Sequence, residues 1–260
     1  MNDPRPCIAR PGAAPLLHQP PDALALFLDM DGTLLEISDR PESVVVPPEL
    51  PGILTRAASC LGGALAVISG RAIGDIDRLL APLVLPASGQ HGSEMRMVRD
   101  GPMIRRATES IPLPLRLQVA EIAAAIPGVQ FEDKGQTLAV HYRRAPDKSA
   151  VLKPRLQALV AASGKRLVLI HGRKVFEVRD ACWSKGSAVD DFMRLPPFMG
   201  RMPVFIGDDI SDEDGFMAAE ALGGMALPVG RIHRARRETA FETPGDVRAW
   251  LKTLAGSLAA

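Results

Sequence analysis

Asp29-Met30-Asp31-Gly32-Thr33 sets two carboxylates one residue apart, directly after the apolar run Leu24-Ala25-Leu26-Phe27-Leu28. An apolar run of that length, closed by a Gly-containing turn, predicts a buried parallel strand running out into a loop. In open α/β sheets, ligands bind beyond the carboxyl ends of the strands, where this loop lies. Two carboxylates held together at such a mouth repel each other. A hard cation with oxygen ligands, Mg²⁺ above all, offsets that charge. A calcium loop of the EF-hand type is excluded, because Leu34 stands where that loop needs its glycine and Arg40 where it needs a bidentate glutamate. Alone, an Asp-x-Asp turn is an ordinary solvated turn, so the weight of the motif rests on its downstream partners.

Three further polar loops have the same setting. Ala64-Leu65-Ala66-Val67-Ile68 ends in Ser69-Gly70-Arg71, Lys185-Gly186 opens a helix running to about Met193, and Pro203-Val204-Phe205-Ile206 ends in Gly207-Asp208-Asp209-Ile210-Ser211-Asp212-Glu213-Asp214. The elements that must position these loops alternate strand and helix. Pro47-Pro48-Glu49 predicts a helix start leading to about Ser59, stopped by Gly62-Gly63. Ile73, Ile76, Leu79 and Leu80 fall at helical spacing, and Leu83-Val84-Leu85 reads as a third short strand. It leads to Gly89-Gln90-His91-Gly92, a loop flexible enough to bring His91 near a ligand.

From about 108 to 180 the pattern changes to helix–hairpin, helix–hairpin. The predicted helices cover about 115–126 and 148–162, and the strands 129–132, 137–143, 167–170 and 174–179. That pattern predicts a small antiparallel sheet backed by two helices. The doubly wound pattern then resumes, with a helix to about Ala221, a strand over 225–227 and a closing helix over about 245–255. The expected fold is α/β: a doubly wound, mostly parallel Rossmann-like core sheet (22–107 and 181–260) with an inserted α+β cap domain (108–180). Residues 1–21, with prolines at 4, 6, 11, 15, 20 and 21, read as a flexible arm without a secretory apolar core.

Composition narrows the class. Lys+Arg 31 against Asp+Glu 30 gives no support for a nucleic-acid partner, and the basic run Arg231–Arg237 reads as a solvated face. Hydrophobic residues at 47% and charged residues at 23% of the chain fit a soluble globular protein. No apolar run approaches the roughly 20 residues of a membrane helix. Cys7, Cys60 and Cys182 are odd in number, far apart and without metal-site spacing, so they read as free thiols in a reducing cytoplasm.

The four loops, in this order, resemble the four motifs of the haloacid dehalogenase superfamily. Gly89-Gln90-His91-Gly92, the hairpin Phe131-Glu132-Asp133-Lys134-Gly135-Gln136-Thr137 running to Arg143, the strand His171–Arg179 and the stretch Pro196–Phe216 are similar, more narrowly, to bacterial trehalose-6-phosphate phosphatases, over roughly residues 22–255. The resemblance implies a Mg²⁺-dependent phosphatase acting on a small-molecule sugar phosphate, as a monomer. In it, Asp29 is the nucleophile and forms an aspartyl-phosphate. Asp31 is the general acid/base, and Ser69 and Lys185 hold the transferring phosphoryl oxygens. Asp29, Asp208 and the main-chain carbonyl of Asp31 hold the metal, while Asp209 and Asp212 orient ligands or cap a helix. Met30, Arg71, His91 and Gly92 are implied to bind substrate from the core.

Glu132, Lys134, Arg143 and Glu177 match the positions with which such a cap grips sugar hydroxyls. Strand alternation puts Glu132 opposite in facing to Phe131, and groups Val175, Glu177 and Arg179 on one face. An antiparallel sheet with one solvated polar face gives the same pattern. His18, His141, His171 and His233 carry no signal of this kind. Asp180 stands where many relatives have proline, at the point where the cap rejoins the core. Two other functions stay open: a related phosphatase of a sucrose or mannosyl phosphate, and a non-catalytic sugar-phosphate sensor.

Overall fold

The computed structural model describes residues 13–38, 43–106, 111–164, 166–172, 174–230 and 237–256. Strand β1 (Leu24–Leu28) is buried at every position, as an unbroken apolar run must be when both faces of a sheet are covered. Helix α1 (Leu50–Cys60) buries Leu50, Ile53, Leu54 and Ala57, a stripe at helical spacing. Then come β2 (Leu65–Ile68), α2 (Ile73–Leu80), β3 (Ala87–Gly89), β4 (Glu94–Arg96) and β5 (Ile104–Arg105). The next segment supplies α3 (Leu113–Ala124), β6 (Gln130–Asp133), β7 (Leu138–His141), α4 (Ser149–Ala162), β8 (Leu167–Gly172) and β9 (Val175–Asp180). The chain closes with α5 (Lys185–Met193), β10 (Met202–Gly207), α6 (Glu213–Ala221), β11 (Met225–Pro228) and α7 (Pro244–Gly256).

Two sheets result. The larger has seven strands in the order β11-β10-β1-β2-β3-β4-β5. Its first five are parallel, and β4 and β5 add an antiparallel edge. The chain winds outward from β1 to β3 on one side and later from β10 to β11 on the other. The loops after β1 and β10 therefore diverge and leave a crevice at their carboxyl ends. The register Leu28↔Ile206 puts Asp29 beside the end of β10, and the Asp29 amide donates to the Ile206 carbonyl at 2.9 Å.

The smaller sheet has the order β6-β7-β9-β8, antiparallel throughout. One face carries its own apolar core: Leu138, Val140, Phe176 and Val178 pack on Leu115, Val119 and Ile122 of α3 and Leu152, Leu156 and Val160 of α4. Since neighbouring side chains alternate, Glu132 and Glu177 face the other way, toward the large sheet. Asp180 ends β9, and its Oδ1 accepts from the Cys182 amide at 2.7 Å. The aspartate thus fixes the turn into the core by a side-chain bond of its own.

Three segments differ from expectation. Leu83 and Leu85 are buried but lie outside any strand, and β3 starts after Pro86, at Ala87. Pro82 and Pro86 bracket that apolar stretch, and proline cannot donate to a ladder. The antiparallel pair β4–β5 was not anticipated, because three- and two-residue strands carry no readable alternation. Residues 14–18, expected in a flexible arm, form a 3₁₀ turn whose Leu16 is buried in the main core. Trp250 Nε1 donates to the Ala13 carbonyl at 3.1 Å and ties that turn to α7. Residues 1–12 of the arm, Cys7 among them, and residues 231–236 of the basic run lie outside the described residues. Arg237, the last of that run, is paired: its Nη2 donates to Glu220 at 3.0 Å and its Nε to Glu213 at 3.2 Å.

Candidate active site

The crevice between the β1 and β10 loops gathers Asp29, Asp208 and Asp212, all buried, with one carboxylate oxygen of each within 4.8 Å of the others. Gly32 makes the approach possible. Its φ is +88°, and a Cβ there would stand 2.1 Å from Asp208 Oδ2. Lys185 reaches the cluster from the start of α5. Ser184 caps α5 by accepting from the Ser187 amide at 3.1 Å, while Ser187 Oγ accepts from the Ser184 amide at 2.9 Å. That reciprocal cap fixes Lys185 at the first helical position. Its Nζ donates to Asp29 Oδ1 and Asp212 Oδ1, each at 2.6 Å.

Charge is badly balanced here. Burial first, then the neighbouring carboxylates, pushes Asp29 up to about 8 in spite of Lys185. Asp208 rises to about 9 by burial and by repulsion from Asp29, Asp212 and Asp209. Lys185 is raised as well, which for an ammonium means that it stays charged: burial alone would lower it, but Asp212 and Asp29 outweigh burial. Three carboxylates against one ammonium is the donor set a hard divalent cation fits. Asp212 has both oxygens engaged, by Lys185 and by the Asp209 amide at 2.9 Å. Among the described residues, Asp208 has only a long 3.5 Å contact from the Thr33 hydroxyl. Asp29 and Asp208 therefore keep free oxygens for a cation, and Asp212 serves to orient. Asp209 caps the short 3₁₀ turn that follows, accepting from the Ile210 amide at 2.8 Å.

Above the cluster a cavity of about 370 Å³ separates the two sheets. Asp29, Asp31, Ser69, Arg71 and Lys185 line its core side, and Glu132, Lys134, His141, Arg143 and Glu177 line the side of the small sheet, with His91 between. Arg71 clasps Asp31 by a two-pronged pair, Nε to Oδ2 and Nη2 to Oδ1, both 2.6 Å. Ser69 is buried, and its Oγ accepts from the Arg71 amide at 3.2 Å.

A core histidine and a lysine of the small sheet converge on one carboxylate. Glu177 Oε2 lies 2.6 Å from His91 Nε2, and Lys134 Nζ stands 3.3 Å from Glu177 Oε1. The His91 contact is short but misaligned for a hydrogen bond, so it is an electrostatic contact, at its strongest with the imidazole protonated. Burial alone would raise Glu177, yet the charges of His91 and Lys134 hold its carboxyl well below the usual range. Lys134 also donates to the Gly70 carbonyl at 3.3 Å, reaching the loop between Ser69 and Arg71. Arg143 donates to the Ser38 carbonyl of the core.

His91 is held in an unusual backbone. Gln90 and His91 have φ of 46° and 54°, a pair of left-handed residues without glycine. Glu94, buried, offsets part of that strain: it accepts from Gln90 Nε2 at 3.0 Å and from the Ile73 amide at 2.9 Å.

Two residues expected to bind substrate are absent from the cavity lining. Met30 is fully buried in the main core, and its carbonyl accepts from the amides of Leu34 and Leu35 at 2.9 Å. Gly92, at φ +106°, packs on the backbone of Ser184, where a Cβ would meet its carbonyl oxygen at 2.7 Å. Both shape the loops and do not line the cavity. His141, dismissed from the sequence, does line it: its Nε2 is 2.9 Å from Glu132 Oε2. The usable signal was alternation, since Ala139 pairs with Glu132 and His141 follows Ala139 by two.

The model of the trehalose-phosphatase family matches residues 27–240. A probable trehalose-phosphate phosphatase of Sinorhizobium fredii is 40% identical over 210 residues, covering 80% of this chain and 78% of its own length. The trehalose-6-phosphate phosphatase of Escherichia coli K12 is 36% identical over 236 residues, covering 90% of this chain and 87% of its own. Among solved structures, the C-terminal domain of trehalose-6-phosphate phosphatase from C. albicans superposes with a TM-score of 0.80 at 22% identity, over 93% of this chain and 96% of that one.

Proposed function

The chain belongs to the trehalose-phosphatase family, and from that premise we propose that it hydrolyses trehalose 6-phosphate to trehalose and phosphate, with Mg²⁺ and through an aspartyl-phosphate. The observation that carries the reading is the buried cluster of Asp29, Asp208, Asp212 and Lys185, opening into a cavity whose far wall bears Glu132, Lys134 and Glu177. One end of that cavity suits a phosphoryl group and the other a polyhydroxylated sugar.

In this mechanism Asp29 attacks phosphorus in line, forming the O–P bond of the acyl phosphate as the bond to the sugar oxygen breaks. Lys185, 2.6 Å from Asp29, favours the ionised carboxylate before attack and offers a positive charge to the phosphoryl oxygens. Ser69 Oγ, already near the mouth of the helix α2 turn, donates to another of those oxygens. Asp31 protonates the leaving sugar oxygen, a poor leaving group as an alkoxide, and later takes a proton from the water that hydrolyses the intermediate. Both Asp31 oxygens are engaged by Arg71 here, so that transfer requires the guanidinium to exchange partners. The arriving phosphoryl group is the anion for which it exchanges. Asp29, Asp208 and the Asp31 carbonyl would hold the cation, which when bound neutralises the carboxylates and phosphoryl oxygens. Glu132, Lys134 and Glu177 exchange hydrogen bonds with sugar hydroxyls, each of which can both donate and accept.

Incubating the purified protein with Mg²⁺ and a panel of sugar phosphates, and measuring released phosphate, tests this reading. Preference for trehalose 6-phosphate over sucrose, mannosyl and glucose phosphates supports it. A flat profile, or no turnover at all, overturns it.

A further inference from the structure

We infer that His141 sets sugar selectivity by fixing Glu132 at the sugar end of the cavity. The inference rests on the reading of that cavity as a sugar-phosphate site. His141 and Glu132 sit on adjacent strands, on the same face: Gln130 pairs with His141 and Glu132 with Ala139. That diagonal separation is within reach of long side chains, and here it is bridged at 2.9 Å from Nε2 to Oε2. An ionised carboxylate can only accept, so Nε2 is the donor. The bond occupies Oε2 and leaves Oε1 as the acceptor that a sugar hydroxyl can reach.

The geometry makes this pair a matter of orientation. The Glu132 side chain is 42% exposed and the His141 ring only 16%. A half-exposed glutamate has several rotamers open to it, while the imidazole is packed in the sheet. Holding the mobile partner with the fixed one pre-orients the acceptor before the sugar arrives. The hydrogen bond from His141 is also the main reason that the Glu132 carboxyl sits below the usual range, with the nearby Lys134 charge acting in the same sense. None of this reaches the phosphoryl end, which Asp29, Ser69 and Lys185 handle. His141 is thus a positioning residue for substrate recognition, with no part in the chemical step.

The test compares His141→Ala, His141→Gln and Glu132→Ala singly, and His141→Ala with Glu132→Ala combined, on trehalose 6-phosphate and p-nitrophenyl phosphate. Loss of one such bond predicts a fall of roughly 3- to 20-fold in the ratio of kcat/KM for the sugar phosphate over that for the aryl phosphate. The fall should appear mainly in KM. Glutamine, which keeps a donor, should recover part of it. In the Glu132→Ala background the His141→Ala effect should vanish, because the group it positions is gone. An unchanged ratio in His141→Ala overturns the inference, and so does a full effect persisting in the Glu132→Ala background. An equal loss on both substrates, with a lowered melting temperature, overturns it in favour of a structural role. Failure of the underlying reading looks different: the wild-type protein itself would then show no preference for the sugar phosphate.

Discussion

Replacing Lys185 by methionine should destabilise the metal-free protein by an amount that depends on pH in a defined way. The side chain is 3% exposed and makes two 2.6 Å bonds to buried carboxylates. Removing one partner of such a buried arrangement costs about 3–5 kcal/mol, because the remaining charges lose their counter-ion. For a chain of this size that corresponds to a melting point lower by roughly 6–20 °C. The cost is relieved where the carboxylates can take up protons. Asp29 and Asp208 titrate near 8 and 9 without a cation, against 3.8 in the unfolded chain. Below about pH 6 both are protonated with or without Lys185, and the gap between wild type and variant should narrow to what the Lys185–Asp212 bond contributes. It should widen as pH rises toward 8–9, since the variant holds those protons to still higher pH. Lys185 itself has its folded value raised above 10.5, so its contribution is fully present below 10.5 and is lost only as pH rises toward the folded value. The maximal gap therefore falls between about pH 8 and 10.5. Thermal unfolding in excess chelator from pH 5 to 10 measures it. A gap that is constant with pH, or largest at pH 5, would refute the charge argument. Adding Mg²⁺ to the variant at pH 8 should recover part of the lost melting temperature, since the cation supplies the missing positive charge.

Chelation should abolish phosphate release and added Mg²⁺ should restore it; undiminished turnover in excess chelator would remove the cation from the mechanism. Asp29→Asn should lower kcat on the order of 10³-fold or more, and Mg²⁺ with beryllium fluoride should inhibit the wild type by occupying that carboxylate. Near-normal turnover of the asparagine variant would show that the nucleophile is a different group. Lys134→Ala should lower kcat/KM on trehalose 6-phosphate by about one to two powers of ten, against a much smaller change on p-nitrophenyl phosphate. Equal losses on the two substrates would assign Lys134 to closure of the cavity through Gly70.

The convergence of the core loops was legible because each carries a short contiguous motif beside an apolar strand or at a helix start. Asp29, Ser69, Lys185 and Asp208 all meet around one crevice, where the neighbouring strands β1 and β10 end. What escaped is what a motif does not record. The Leu83–Leu85 stretch is apolar for packing rather than for pairing, and two prolines decide the difference. Leu16 and Ala13 are few apolar residues among prolines, yet they find a ready groove beside Trp250. The clasp of Arg71 on Asp31 depends on side-chain reach across two loops, 40 residues apart in the chain. His141 was overlooked because a single histidine in a strand has no chemical context until its diagonal neighbour is known.

The two walls of the cavity solve opposite electrostatic problems, and this bears on how selectivity arises. The core wall concentrates unbalanced negative charge, which in the proposed mechanism a cation offsets so that an anionic phosphoryl group can approach. The wall of the small sheet is already self-satisfied: Glu132 is held by His141, and Glu177 lies between Lys134 and His91. A sugar hydroxyl entering there can take up Glu132 Oε1, but at Glu177 and Lys134 it must replace an existing contact with one at least as good. Affinity gained by such exchange is small, whereas a misplaced hydroxyl strands a charged group and is penalised in full. Phosphate recognition should therefore be strong and indifferent to the leaving group, and sugar recognition weak but discriminating. Lys134 joins the two walls, since the same ammonium that faces Glu177 also holds the Gly70 carbonyl between Ser69 and Arg71. In the proposed mechanism, a sugar that draws Lys134 away from that carbonyl would loosen the loop that carries Arg71, the group that has to release Asp31 before Asp31 can protonate the leaving oxygen.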